Sequence, residues 1–72
     1  MPREQDLWIT KDGKYIYYII REINGRFDTI MHEKDGQIDE FRLRSLAYFK
    51  EECEYLGKAK INYTDLFKKQ EN

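Results

Sequence analysis

Three Asx-Gly pairs constrain the fold of this chain more than any other feature: Asp12-Gly13, Asn24-Gly25 and Asp35-Gly36. A two-residue type I′ turn needs positive φ at both central positions, and Asn or Asp followed by Gly meets that need at the least cost. Runs rich in β-forming residues lie around these pairs, at 7–10, 15–23, 27–32 and 38–43. The pattern predicts a four-stranded antiparallel meander closed by three tight hairpins.

The period of the apolar residues changes after residue 43. A stripe at spacings typical of an α-helix consists of Leu46, Phe49, Cys53 and Leu56. Ser45 is suited to cap the start of this helix and Gly57 to end it in a left-handed conformation, which gives about three turns. The sequence therefore predicts an α+β fold in which one C-terminal helix covers one face of the sheet.

The segment 58–72 is compatible with two structures. Ile61 and Tyr63 alternate like a short strand, whereas Thr64 could cap a final helical turn. If the tail adds a fifth strand, the fold becomes an SH3-like small barrel. In either case we expect a flexible N-terminus over 1–5, a single domain over 6–67 and a frayed C-terminus over 68–72.

The predicted turns fix which side chains share a face of the sheet, because side chains alternate strictly along a strand. Counting outward from the turns pairs Ile9 with Ile16, Ile19 with Ile30, and Ile30 with Phe41. The first face then holds Trp8, Tyr15, Tyr17, Ile19, Ile23, Ile30, Phe41 and Leu43. The second face holds Leu7, Ile9, Ile16, Tyr18, Ile20, Phe27, Met31 and Ile38. We expect the helix on the first face, because the fourth strand places Arg42 and Arg44 on the second.

The second face is unusually apolar for the open side of an antiparallel sheet. The tail could fold back across it with Ile61, Tyr63, Leu66 and Phe67, a closed barrel could bury it, or it could be an interface. Aromatic residues, Met and Arg are enriched at protein interfaces, so this face is also a candidate binding surface. The candidate protein-binding residues are Leu7, Tyr18, Ile20, Phe27, Met31 and Arg42.

The charges nearly cancel, with 13 Lys and Arg against 14 Asp and Glu and a net charge of −1. This balance gives no overall attraction to a phosphate backbone. An aromatic face with a local basic rim could still bind nucleic acid, and the residues for that alternative are Arg42, Arg44, Lys58 and Lys60. We therefore expect a protein partner or a second copy, with nucleic acid as the alternative.

No residue pattern indicates catalysis. His32 is the only histidine, and the counted register places it opposite Asp39 and beside Tyr17, but no nucleophile completes the group. Cys53 lies in the predicted helix stripe, where burial would suppress its reactivity. No ligand spacing closes a metal site, and no Gly-rich loop leads into a helix to hold a phosphate. We expect a non-enzymatic protein with neither metal nor cofactor.

The cellular setting is predicted from a lone cysteine and short apolar runs. Cys53 has no partner for an internal disulfide, and the longest apolar run, 15–20, is too short for a membrane helix or a signal peptide. We therefore expect a cytoplasmic protein that does not associate with a membrane. The richness in Lys, Glu, Ile, Tyr and Asn is similar to that of small phage and mobile-element proteins, which favours a regulator or inhibitor acting by protein contact or homodimerisation.

Overall fold

The computed structural model describes residues 1–36 and 40–65, which form five strands and one short helix. The strands are β1 (Asp6–Thr10), β2 (Tyr15–Ile23), β3 (Arg26–Glu33), β4 (Glu40–Ser45) and β5 (Cys53–Lys58), and the helix is α1 (Leu46–Glu52). They build one antiparallel sheet in the order β4-β3-β2-β1-β5. A small antiparallel sheet with a short helix is therefore confirmed.

The three Asx-Gly pairs do not adopt the same turn. Asn24 and Gly25 have φ values of 52° and 79°, as a type I′ turn requires. At the first pair only Gly13 has positive φ, 78°, and in the described part of the chain neither residue of the third pair does. The pairing of Ile9 with Ile16 in β1 and β2 still follows the counted register.

A β-bulge in β2 changes the faces of the sheet. Next to the turn, Arg21 pairs with Asp28 as counted, but the register shifts between Ile19 and Arg21, so that Ile19 pairs with Thr29 instead of Ile30. The bulge places two residues of β2 opposite one residue of β3. Every pair of β2 and β3 beyond the bulge is therefore offset by one residue from the prediction.

This offset corrects the predicted helix face. The core under α1 consists of Tyr17, Ile19, Phe27, Phe49 and Cys53, with Trp8, Met31, Leu46 and Tyr48 packed against it. Phe27 and Met31 thus lie on the helix side, where the prediction had placed neither. Phe41 pairs with Ile30, as counted, and lies with Leu43 on the opposite side of the sheet. We call the side that carries α1 the helix side and the other the open side.

The helix is shorter than predicted. Its start is confirmed at Ser45, whose Oγ accepts a hydrogen bond of 3.2 Å from the backbone N–H of Tyr48. It ends at Glu52 after seven residues, and Cys53 already has extended backbone angles. Gly57 is not a helix C-cap: it lies in β5 with φ of 135°, beside the irregularity in the pairing of β5 with β1.

Both ends of the described chain contact the sheet. The segment predicted to be flexible is hydrogen-bonded through Gln5, whose N–H donates to the Ile19 carbonyl at 2.8 Å and whose carbonyl accepts from the N–H of Ala59 at 2.8 Å. At the other end, residues 63–65 are helical, and Asn62 rather than Thr64 caps this turn, since its Oδ1 accepts from the Thr64 N–H at 2.9 Å.

Whether the sheet closes into a barrel depends partly on residues that the structure does not describe. Within the described ranges β4 and β5 are the two edges, and β5 precedes the tail. The SH3-like barrel with the tail as its fifth strand stays a prediction. Ile38, Asp39, Leu66, Phe67 and the predicted frayed segment 68–72 lie outside the described residues. Among residues 1–36 and 40–65, no helix has the length and apolar character needed to cross a membrane.

Candidate protein-binding surface

The six protein-binding residues predicted from the sequence do not form one exposed face. Leu7 and Tyr18 lie on the open side, whereas Phe27 and Met31 lie on the helix side. Phe27 is 1% exposed and Tyr18 is 2% exposed. The predicted surface is therefore divided between the two sides of the sheet, and both of its aromatic side chains are buried.

Part of the open side is covered by the C-terminal segment. The ring of Tyr63 stacks on that of Tyr18, with centroids 4.5 Å apart and planes 2° from parallel. The hydroxyl of Tyr18 donates to Asn62 Oδ1 at 3.3 Å, and burial raises the pKa of both tyrosines above its ordinary value. Of the three explanations for the second apolar face, a tail that folds back is thus seen for residues up to 65.

His32 belongs to this covered part. Its Nδ1 lies 2.7 Å from the Glu33 carbonyl oxygen, which can only accept, so Nδ1 carries the proton. Its Nε2 lies 3.2 Å from the Tyr63 hydroxyl, which donates to it. Tyr17 is on the helix side, away from His32, because of the bulge. Nε2 of His32 therefore links the tail to the sheet, while the bond of Nδ1 to Glu33 fixes the orientation of the ring.

The remainder of the open side exposes apolar side chains near the β2–β3 turn and along β4. Ile23 is 48% exposed, and Phe41 and Leu43 are each 50% exposed, while Ile20 at the bulge is half-buried. We call Ile20, Ile23, Phe41 and Leu43 the β4 patch. Sequence reasoning had placed only Ile20 among the binding residues, because it put the other three on the helix side.

The β4 patch is concave. Ile20, Phe41 and Leu43 line a shallow depression of about 340 Å³, and Ile23 and Leu43 line a neighbouring one. Both depressions also border Asp28. Because Leu43 belongs to both, the four side chains form a continuous surface.

Charged groups surround this apolar surface. Nε of Arg21 donates to Oδ2 of Asp28 at 3.0 Å, in an ion pair that crosses from β2 to β3. Arg26 lines the neighbouring depression together with Leu43. The arrangement is an apolar centre with a polar rim, which is typical of protein interfaces.

On the helix side, Arg44 is held by two tyrosines. Its guanidinium lies 4.8 Å from the centroid of the Tyr48 ring, and its Nε donates to the Tyr17 hydroxyl at 3.2 Å. The hydroxyls of Tyr17 and Tyr48 share a hydrogen bond of 2.9 Å. Burial, followed by the hydrogen bond with Tyr17, raises the pKa of Tyr48. These contacts tie β4 to α1 and to the centre of the sheet.

The four residues of the nucleic-acid alternative lie at opposite edges of the sheet. Arg42 and Arg44 are in β4, whereas Lys58 is at the end of β5 and Lys60 follows it. Arg42 forms an ion pair with Glu40, and Nζ of Lys58 lies 2.9 Å from Oδ1 of the buried Asp6. The fold therefore does not bring these cations together on one surface.

Cys53 is a core residue. It is 4% exposed, and burial, helped by the charge of Glu52, raises the pKa of its thiol to about 11. Among the described residues, no group of His, Cys, Asp and Glu is arranged to hold a metal ion.

The raised pKa of Cys53 predicts a loss of stability at alkaline pH. The unfolded thiol ionises near its ordinary pKa of about 8.5, whereas the folded thiol keeps its proton to about pH 11. The contribution is complete below the unfolded pKa and is lost as the pH rises towards the folded one, by about 3 kcal/mol in all. Urea unfolding at several pH values should show a flatter alkaline decline in Cys53→Ala, and equal declines would contradict the prediction.

Comparison with known proteins gave no further assignment: no protein-family model, no curated protein and no solved structure matches the chain.

Proposed function

We propose that this protein is a non-enzymatic binding module that engages a protein partner through the β4 patch. The observation that carries the proposal is that three large apolar side chains, Ile23, Phe41 and Leu43, are each about half exposed on one continuous surface. Exposing such a surface is unfavourable in water, and contact with a partner would remove it.

The chemistry around the patch supports a protein as the partner. Arg21 and Arg26 stand beside an apolar centre that contains an aromatic ring, and Arg and aromatic residues often dominate the binding energy at interfaces. A phosphate backbone would be attracted only weakly to this protein. The net charge is −1, and Arg42 and Lys58 lie at opposite edges of the sheet with carboxylates beside them. A role of this kind suits a regulator or inhibitor that acts by direct contact.

A variant of Leu43 tests the proposal. Peptides are selected from a random display library on the wild-type protein, and their affinities are measured for Leu43→Glu and for Leu56→Glu. Both leucines are 50% exposed, but Leu56 lies in β5 at the other edge of the sheet. We expect Leu43→Glu to weaken binding by at least about tenfold, because the new carboxylate would be desolvated by an apolar peptide, and Leu56→Glu to leave it unchanged.

Circular dichroism and urea unfolding of both variants provide the control for folding. Equal effects of the two substitutions, or no enrichment of peptides, would contradict the proposal.

A further inference from the structure

Strand β4 has charge on one side and apolar groups on the other. Glu40, Arg42 and Arg44 lie on the helix side, and Phe41 and Leu43 lie on the open side, as their pairing with β3 shows. The strand is an edge of the sheet formed by the described residues. An antiparallel edge strand directs the N–H and C=O groups of alternate residues away from its neighbour, where another strand can bond to them. In β4 the carbonyls of Phe41 and Leu43 accept long hydrogen bonds of 3.3 and 3.5 Å from the side chains of Arg42 and Arg44, which a second strand would replace.

The charges of β4 are complementary to those of a second β4. If two copies pair antiparallel about a two-fold axis at Arg42, Glu40 of each copy lies opposite Arg44 of the other. On the open side the same register sets Phe41 opposite Leu43 of the other copy. Residues directly opposite in an antiparallel pair interact, and opposite charges and apolar pairs are both favourable there. The symmetry repeats each of these pairs, so the edge is self-complementary.

Other centres for the axis are less favourable. An axis at Leu43 would place Arg42 opposite Arg44 of the other copy twice, which is repulsive. An axis at Phe41 would pair Phe41 with Phe41 of the other copy once, whereas the axis at Arg42 pairs Phe41 with Leu43 twice. The axis at Arg42 does bring the two Arg42 side chains together, but each already has Glu40 of its own chain as an ion-pair partner.

We propose that the partner of the β4 patch is a second copy of this chain, joined by antiparallel pairing of β4 with β4 centred on Arg42. The two sheets then form one continuous sheet, and the β4 patches become neighbours across the two-fold axis. This inference rests on the proposed function, because it names the partner of the same surface. A short edge gives a small interface, so we expect a dimer that forms at micromolar to millimolar concentrations.

Sedimentation equilibrium from about 10 µM to about 1 mM tests the dimer, a range suited to interfaces of this size. Wild-type protein should approach twice the monomer mass as the concentration rises. Glu40→Arg should raise the dissociation constant by at least about tenfold, since it sets Arg opposite Arg44. The matched control is Glu54→Arg, the same substitution at an exposed position of the other edge strand, which should leave it unchanged. A monomer throughout, or equal effects of both variants, would overturn the inference.

A cross-link tests the register. Directly opposite residues have Cα atoms about 4.5–5.5 Å apart, within the range that a disulfide spans. Arg42→Cys should therefore form an intermolecular disulfide in a glutathione buffer much faster than Glu54→Cys, while the native Cys53 stays buried in both. Equal rates for the two variants would overturn the proposed pairing.

The two proposals fail in different ways. Glu40 is on the helix side, so Glu40→Arg should weaken the dimer and keep peptide binding at the β4 patch, whereas Leu43→Glu should weaken both. A wild-type protein that is monomeric but binds peptides in a Leu43-dependent manner overturns the dimer alone. If the Leu43→Glu substitution does not change the affinity for peptides, the proposed function is overturned.

Discussion

Replacing Phe49 with alanine is expected to lower the free energy of unfolding by about 3–5 kcal/mol, the usual cost of removing a buried aromatic ring. Phe49 is 0% exposed and makes edge contacts with the rings of Trp8, Tyr17 and Phe27 at centroid distances of 5.6 to 5.8 Å. The side chain is thus the main contact of α1 with the sheet. Since the core of a chain of this size rarely supplies more than about 3–5 kcal/mol, the variant should be largely or partly unfolded at room temperature.

Urea unfolding followed by circular dichroism measures this loss. Leu56→Ala is the matched control, because the sequence pattern places both residues on one helical stripe but Leu56 is 50% exposed in β5. We expect the control to lose less than about 1 kcal/mol. Phe49→Leu retains much of the apolar volume and keeps the measurement possible if the alanine variant does not fold. Similar losses for Phe49→Ala and Leu56→Ala would contradict the described core.

Replacing Tyr63 with alanine is expected to lower the free energy of unfolding by about 2–3 kcal/mol, through the loss of a stacked ring and of a partly buried hydrogen bond. The ring covers Tyr18, which is 2% exposed, and the hydroxyl bonds to His32, which is 7% exposed. Removing the side chain leaves an apolar ring and an imidazole facing water.

Two further variants separate the contributions of Tyr63. Tyr63→Phe keeps the stack and removes the hydrogen bond to His32, so it should cost about 1 kcal/mol. Ile61→Ala, at a residue of the same segment that is 55% exposed, should change the stability by less than about 0.5 kcal/mol. If Tyr63→Ala is as mild as Ile61→Ala in urea unfolding, the tail does not hold the covered part of the open side.

Local signals in the sequence predicted several elements well. The Asn24-Gly25 pair combines two residues that tolerate positive φ, and both adopt it. Ser45 caps the helix at the position where the apolar period changes. The pairing of Ile30 with Phe41 follows from counting around the third Asx-Gly pair, even though neither of its residues has positive φ. Each of these features depends on residues close together in the chain.

The bulge at Ile20 could not be predicted in the same way. The run 15–20 contains only Tyr and Ile, so an inserted residue leaves no break in the alternation of polar and apolar side chains. The shift depends on packing: with the bulge, both Tyr17 and Phe27 contact Phe49. The binding surface depended on this register, and for that reason most of the β4 patch was assigned to the wrong side.

The sequence pattern did not predict strand β5, because a short apolar run fits the period of a helix and that of a strand equally well. Cys53 and Leu56 match a helical stripe, but Cys53 and Tyr55 also alternate with Glu54 as in a strand. Tertiary contacts decide between the two: Tyr55 meets the ring of Trp8 at 5.6 Å, and β5 bonds along β1. Local propensity cannot supply a contact with a strand more than 40 residues earlier in the chain.

The irregularity of β5 near Gly57 bears on how far an assembly of this protein can extend. A sheet with two regular free edges can add copies at both and grow into a filament, which natural proteins avoid by disrupting an edge. Here the register of β5 shifts beside Gly57, and Lys58 follows at the end of the strand. If two copies pair through β4 as proposed, no second regular edge is left among the described residues, so the assembly would stop at two chains.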